Sequence, residues 1–307
     1  MKNVFLFSGQ GSQYVGMMND FYENNGFAKS QLSLANDILG FNISNIMFEG
    51  PVDILKETRY TQIALFLHSS IIFDLIKNKK EFSATAGHSV GEFAGLYASG
   101  VLNFKDALEL VALRGKLMFE VGNKIPGTMF AVVGMSDEDV IKTCEEFNRP
   151  EVGNVVVPAN FNSTGQVVIS GSQDYLRSIS GEFKTRGAKL VKELQVSGAF
   201  HSPLLNEAKI ELEEKIKKMQ FNNAIVPIYS NVSASAENEG NRIQSLLIEQ
   251  IVSPVKWTQI LNNLKQDGFD TYIEIGAGNV LQGLVKRTLS DVEIFGIDKY
   301  VDFQNFS

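Results

Sequence analysis

Residues 86–93 read AGHSVGEF, and the reading of Gly87-His88-Ser89-Val90-Gly91 decides how the chain around it folds. A short apolar run, Thr85–His88, leads into this core, and helical spacing leaves it over Val90–Ser99. A strand that passes through Gly-x-Ser-x-Gly into a helix makes a sharp turn with the serine hydroxyl at its tip. The glycines permit the turn, and the helix N-terminus offers unpaired N–H groups where negative charge can develop. The same junction also suits a serine N-cap, so Ser89 alone is either a nucleophile or a cap.

Working outward, Val4–Phe7 reads as a strand ended by Ser8-Gly9-Gln10-Gly11-Ser12. Thr61–Ile76 is apolar nearly all round, which predicts a buried helix, and Phe104–Val121 has helical spacing. The texture changes at Ile125-Pro126-Gly127. From there the order is strand Met129–Val133, helix Asp137–Phe147, strands Val155–Asn160 and Val167–Ser170, helix Gln173–Arg186 and strand Lys189–Leu194. That βαββαβ order is ferredoxin-like. Next come a helix over Pro203–Met219, a strand over Val226–Ser230, and helices over Asn241–Ile251 and Thr258–Asp267. Strand Thr271–Ile275, helix Val280–Leu289 and strand Glu293–Gly296 follow. The expectation is an α/β protein, with a large unit over 1–124 and 196–307 and a small inserted unit over 125–195.

Composition narrows the function classes. With 307 residues and 44% apolar residues the chain can bury a sizeable core. A net charge of −7 argues against nucleic acid as a main partner, because phosphate neutralisation needs a basic surface. The single cysteine, Cys144, excludes an internal disulfide and fits a reducing compartment; its polar surroundings give it a structural role. No apolar run reaches the ~18 residues of a membrane span, and the opening residues lack a signal-peptide pattern. The expected location is the cytoplasm.

A serine nucleophile needs a base, and the chain has three histidines. His68 falls in the buried helix and reads as a core residue. His88 points away from Ser89 if its strand is extended. His201, in the loop Ser197-Gly198-Ala199-Phe200-His201-Ser202-Pro203, is the better base, with a loop or cap histidine as the alternative. Arg114 shares a helix face with Ala107, Val111 and Met118, so a cation sits on an otherwise apolar stripe. It snorkels, pairs with a nearby carboxylate, or receives a carboxylate on the substrate. The turn at Gln10 lacks the lysine of a P-loop and the third glycine of a dinucleotide fingerprint. Such a turn can instead donate an N–H to an oxyanion.

Together these stretches resemble the malonyl-CoA:acyl carrier protein transacylase family, which includes acyltransferases that serve polyketide synthases. The resemblance runs in order along the chain. It takes in Gly9-Gln10-Gly11-Ser12-Gln13, Thr61-Gln62, Gly87-His88-Ser89-Val90-Gly91-Glu92, Arg114-Gly115 with Met118, and Asn160 with Asn162-Ser163. It continues through Gly198-Ala199-Phe200-His201, Pro254-Val255 with Trp257, and Glu274-Ile275-Gly276. It implies an α/β-hydrolase-like large domain with the ferredoxin-like unit inserted and the active site in the cleft between them. By the same resemblance Ser89 is the nucleophile, His201 its base, and the backbone carbonyl of Gln250 orients the histidine. The N–H groups of Gln10 and Val90 form the oxyanion hole, and Arg114 binds the malonate carboxylate. Gln62, Phe200, Asn160 and Asn162 line the pocket. Phe200 crowds the room for a C2 methyl branch, which implies malonyl over methylmalonyl units. Ser8 and Ala277 stand where the family usually has proline, beside the site.

The implied reaction is ping-pong transfer of malonyl from malonyl-CoA to the phosphopantetheine thiol of an acyl carrier protein, by a monomer with no bound cofactor or metal. The alternatives are an acyl hydrolase of the same fold, or a non-catalytic carrier-protein docking subunit. Lys184, Arg186, Lys189, Lys192, Lys286 and Arg287 are the candidate cations for an acidic carrier protein.

Overall fold

The computed structural model describes residues 2–306. Its larger sheet is built on the apolar run near the start of the chain. Strand β1 (Asn3–Phe7) lies between β2 (Ala84–Gly87) and β9 (Thr271–Ile275), parallel to both. Alternate β1 side chains enter two different cores. Phe5 and Phe7 pack with the helix Thr58–Ile76, whereas Val4 and Leu6 pack with Trp257, Ile260, Leu264 and Leu281. Because both faces are covered, the strand reads as a continuous apolar run rather than an alternation. Strand β10 (Glu293–Ile297) extends the sheet beyond β9, and β7 (Ile228–Tyr229) and β8 (Ala236–Glu237) extend it beyond β2. The order is β10-β9-β1-β2-β7-β8, with β8 antiparallel at the edge.

The second sheet has the order β4-β5-β3-β6, formed by β3 (Gly127–Val133), β4 (Val156–Ser163), β5 (Gln166–Ser172) and β6 (Leu190–Glu193). Every pairing in it is antiparallel. Helices Asp137–Phe147 and Gln173–Thr185 share one core with it, which includes Phe130, Val132, Val140, Leu176 and Phe183. This strand order is what a βαββαβ chain produces when its two helices cover one face. Strand β4 is tied to the segment just before the helix Trp257–Gln266. Phe161 N–H donates to the Val255 carbonyl at 2.9 Å, and Val255 N–H donates to Ala159 at 2.9 Å.

The elements differ from the sequence reading at several boundaries; β4, for example, continues past Asn160 to Ser163. The central helix starts at Thr58, one turn before the apolar run that marks it. The expected strand over 226–230 shrinks to Ile228–Tyr229, since Pro227 has no N–H for the ladder. The expected helix from Pro203 opens as a 3₁₀ turn, Pro203–Leu205, before the α-helix Asn206–Ile216. Among the described residues no helix is long and apolar enough to cross a membrane.

Cys144 is buried in the second core, and burial pushes its thiol up to about 12. The expected outcome is no reaction with a thiol reagent at pH 8 in the folded protein and one equivalent after denaturation; fast labelling of the native chain contradicts this placement.

Candidate active site

The turn at Ser89 is enforced by backbone contacts on both of its sides. A Cβ on Gly87 would lie 2.0 Å from the carbonyl of Gly91, and one on Gly91 would lie 2.2 Å from the Phe7 carbonyl oxygen at the end of β1. Between them Ser89 adopts φ 52°, a left-handed conformation that non-glycine residues hold only where their surroundings impose it. Asn231, just past β7, supplies part of that restraint. Its side-chain oxygen accepts the Ser89 N–H at 2.7 Å, and its amide nitrogen donates to the Gly87 carbonyl at 2.7 Å.

His201 meets the serine from the loop after β6. It too has positive φ, 56°, and its loop is fixed by Ser202 Oγ donating to Ala199 O at 2.7 Å. His201 Nε2 lies 2.8 Å from Ser89 Oγ. Nδ1 faces two carbonyl oxygens, Gln250 at 3.0 Å and Ser253 at 3.1 Å. Two acceptors at Nδ1 require the proton there, which leaves the Nε2 lone pair facing the hydroxyl. Burial, and then the positive charge of Arg114, lower the imidazole to about 3, so the ring is neutral at ordinary pH.

Arg114 does not snorkel: it is 1% exposed, on the same buried face as Ala107, Val111 and Met118. It also has no carboxylate on it. Nη1 donates to Gln62 Oε1 at 2.6 Å, and Nη2 donates to Gln250 Oε1 at 3.0 Å and Ser89 Oγ at 3.1 Å. Its Nε, also buried, has no protein partner. Burial lowers the guanidinium to about 10 while Glu92 opposes the shift, so it stays charged near neutrality. A cation this enclosed and held only by neutral acceptors has unused capacity for an anion.

The remaining residues converge on the same place. Gln62 is fixed by donating to Thr58 Oγ1 at 2.9 Å and Met118 Sδ at 3.2 Å, and Thr58 in turn donates to Gln10 Oε1 at 2.8 Å. The N–H groups of Gln10 and Val90 have no protein acceptor among the described residues. Gln10, Val90, Arg114, Phe200, Asn160 and Asn162 line one cleft of about 160 Å³ with Ser89 and His201. Gln62 stands behind Arg114 instead of on the wall. A larger cavity of about 680 Å³, lined by Phe41, Tyr60, Lys116 and Phe119 among others, shares none of these residues.

His88 departs from the sequence reading. Strand β2 ends at Gly87, so alternation stops there and the ring enters the cleft. Its Nε2 is 2.8 Å from Asn162 Oδ1, and Trp257 meets it edge-on at 5.5 Å. His68 stays in the core, with Nε2 against the Asp298 carbonyl at 2.9 Å. Among the described residues no group of three or more His, Cys, Asp or Glu could hold a metal ion.

A serine hydroxyl against a neutral imidazole, two free N–H groups and a buried cation in one cleft fit the chemistry of acyl transfer through a serine ester. The family model described as "Acyl transferase domain" matches residues 4–299. The chain belongs to the acyl transferase domain family. It is 36% identical to the malonyl CoA-acyl carrier protein transacylase of Haemophilus influenzae, over 98% of this chain and 97% of that one. It is also 36% identical to the one from Staphylococcus aureus strain MRSA252, over 100% of this chain and 98% of that one. Among solved structures, an acyl carrier protein S-malonyltransferase from Vibrio cholerae superposes with TM-score 0.94 at 35% identity, with each chain fully covered. A malonyl-transacylase in complex with its type II PKS acyl-carrier protein superposes with TM-score 0.93 at 32% identity, covering 99% of this chain and 98% of that one. This chain is therefore an acyltransferase with an α/β fold.

Thr58, Asn231 and Ser253 escaped the sequence reading, and Glu92 entered it only as the end of the motif at 87–92, without a role. Glu92 carried a signal, as the one charge in the apolar helix Gly91–Ala98. Asn231 carried none, since its role depends on β7 lying beside β2. Replacing Asn231 with Ala leaves the Ser89 N–H and Gly87 carbonyl unpaired, which costs about 1–3 kcal/mol for each buried group. The expected result is a lower denaturation midpoint and weakened labelling of Ser89 by a fluorophosphonate; wild-type values for both would show that the glycines hold the turn unaided.

Proposed function

We propose that this acyltransferase moves a malonyl group from malonyl-CoA to the phosphopantetheine thiol of an acyl carrier protein, through an ester on Ser89. The observation that carries the reading is the Arg114 guanidinium, buried, without a carboxylate, 3.1 Å from the Ser89 hydroxyl. A malonyl thioester carries its own carboxylate a short reach from the carbonyl that reacts. An acyl group without that charge has no use for such a cation, which disfavours a general acyl hydrolase.

In the first half-reaction Ser89 Oγ attacks the thioester carbonyl and its proton passes to His201 Nε2. The carbonyls of Gln250 and Ser253 stabilise the imidazolium through Nδ1–H. The oxyanion is held by the N–H groups of Gln10 and Val90, and it collapses as the C–S bond breaks. Coenzyme A leaves with the proton from His201. In the second half the carrier thiol gives its proton to His201 and attacks the ester; Ser89 leaves and is reprotonated. Arg114 holds the malonyl carboxylate throughout, and Phe200 disfavours a branch at C2 by roughly 1–3 kcal/mol. All these groups come from one chain, so a monomer suffices. The chemistry uses no resident metal or cofactor.

The carrier is acidic in this reading, and the cations that meet it are Lys184, Lys189, Lys192, Lys286 and Arg287, all exposed. Arg186 is already held by Glu146 through two bonds of 2.6 and 2.7 Å, so it contributes less.

The deciding assay follows malonyl-CoA with holo carrier protein, measuring malonyl-carrier against free malonate. Transfer is expected to dominate, and Ser89→Ala is expected to abolish it; dominant hydrolysis with carrier present would overturn the reading. The pH profile supplies a second check. Because His201 is lowered to about 3, its basic form persists far below the ordinary histidine range. Burial pushes the nearby Glu92 carboxyl up to about 7, so the profile is read in Glu92→Gln, where that titration is removed. The rate of Ser89 acylation is expected to hold between pH 7 and pH 5; a fall centred near 6.5 would show an ordinary imidazole.

A further inference from the structure

Glu92 is buried at 2% exposure directly behind the catalytic turn, and it touches none of the reacting atoms. What it does touch is the side chain of Gln250. Gln250 Nε2 donates to Glu92 Oε2 at 2.7 Å and to the Ser89 carbonyl at 2.9 Å, so both amide hydrogens are used. The same Oε2 accepts the N–H of Asn231 at 3.3 Å. Gln250 Oε1 is consequently left to face Arg114 Nη2, 3.0 Å away.

This arrangement has only one consistent sense. An amide is ambiguous, a donor at one end and an acceptor at the other, and a half-turn exchanges the two. Arg114 can only donate, and the Ser89 carbonyl can only accept. A flipped Gln250 would set its NH₂ against the guanidinium and its oxygen against two acceptors. The Ser89 carbonyl by itself fixes one of the two hydrogens, and Glu92 fixes the second. Burial pushes the Glu92 carboxyl up to about 7 against the pull of its hydrogen bonds, and in its ionised form it also balances the buried positive charge from one residue away. A carboxylate placed directly on Arg114 would occupy the donors that a substrate anion needs; the intervening amide keeps them open.

We infer that Glu92 is a positioning residue for acyl-group choice: as a buried acceptor it locks the Gln250 amide with its oxygen toward Arg114, and so holds the guanidinium in the pose that receives a carboxylate. This rests on the malonyl reading of the cleft. The role concerns selection more than the nucleophile, because Glu92 reaches the Asn231 N–H only at 3.3 Å, while the Asn231 side chain and His201 bond Ser89 at 2.7 and 2.8 Å.

The test compares rates of Ser89 acylation by malonyl-CoA and by acetyl-CoA, read by intact mass, in variants of the full chain. Glu92→Met keeps the volume and removes the acceptor. The ratio of malonyl to acetyl rates is expected to fall about tenfold or more, the scale on which misplaced binding groups act. Glu92→Gln retains an acceptor oxygen and is expected to keep the ratio within about threefold of wild type. Should Glu92→Met fail to fold, Glu92→Asp withdraws the acceptor by one methylene and is expected to lower the same ratio. Equal loss of both rates, an unchanged ratio, or a Gln variant as unselective as the Met variant would each overturn the inference. Absence of any malonyl adduct on the wild-type protein would instead overturn the underlying malonyl reading.

Discussion

A positive charge that water cannot reach organises this molecule. Arg114 sits midway along a 21-residue helix, Phe104–Lys124, and projects into the space behind Ser89 at 1% exposure. Burying an uncompensated guanidinium costs several kcal/mol, so the surroundings must answer it. They answer with the oxygens of Gln62 and Gln250, the serine hydroxyl, the ring of Phe93 at 5.7 Å, and a carboxylate one residue removed. Each answer draws in another element. Gln62 comes from the central helix, Gln250 from the end of the helix Gly240–Gln250, and Glu92 from the helix that starts at the catalytic turn.

Gln250 joins the two sides of the cleft. Its backbone carbonyl faces the His201 ring, while its side chain bonds Arg114 and the Ser89 carbonyl. A shift of that helix end therefore moves the imidazole and the guanidinium together. The second sheet contributes differently, by walling the cleft with Met129, Val168 and Leu194 and by bringing Asn160 and Asn162 over it from β4. Its attachment through Val255 places that wall opposite the turn. Strained backbone at Ser89 and His201 is tolerated because the packed ends of β1 and β2 and the fixed loop leave neither residue an alternative.

Much of this was legible in the sequence, for reasons that are local. Ser89 is marked by its own neighbours, since the two glycines are required by contacts within four residues and with β1. Arg114 is marked by its helix face, and the strand and helix order of the inserted unit follows from its periodicity. Gln250 was legible only by resemblance, because a backbone carbonyl leaves no trace in residue type. His88 was misread when its strand was carried one residue too far. Thr58 and Asn231 lay beyond reach: each acts across a contact between elements far apart in the chain, through Gln10 and Gly87 respectively.

The claim that the buried cation selects the acyl group is tested most directly by the acylation rates of Arg114→Ala. Malonyl-CoA and acetyl-CoA are compared on Ser89, with fold checked by thermal unfolding. Loss of a buried charge pair costs about 2–5 kcal/mol. The account predicts that the malonyl rate falls by that amount while the acetyl rate is kept or rises. Parallel loss of both rates in a folded variant, or undiminished preference for malonyl, would contradict it.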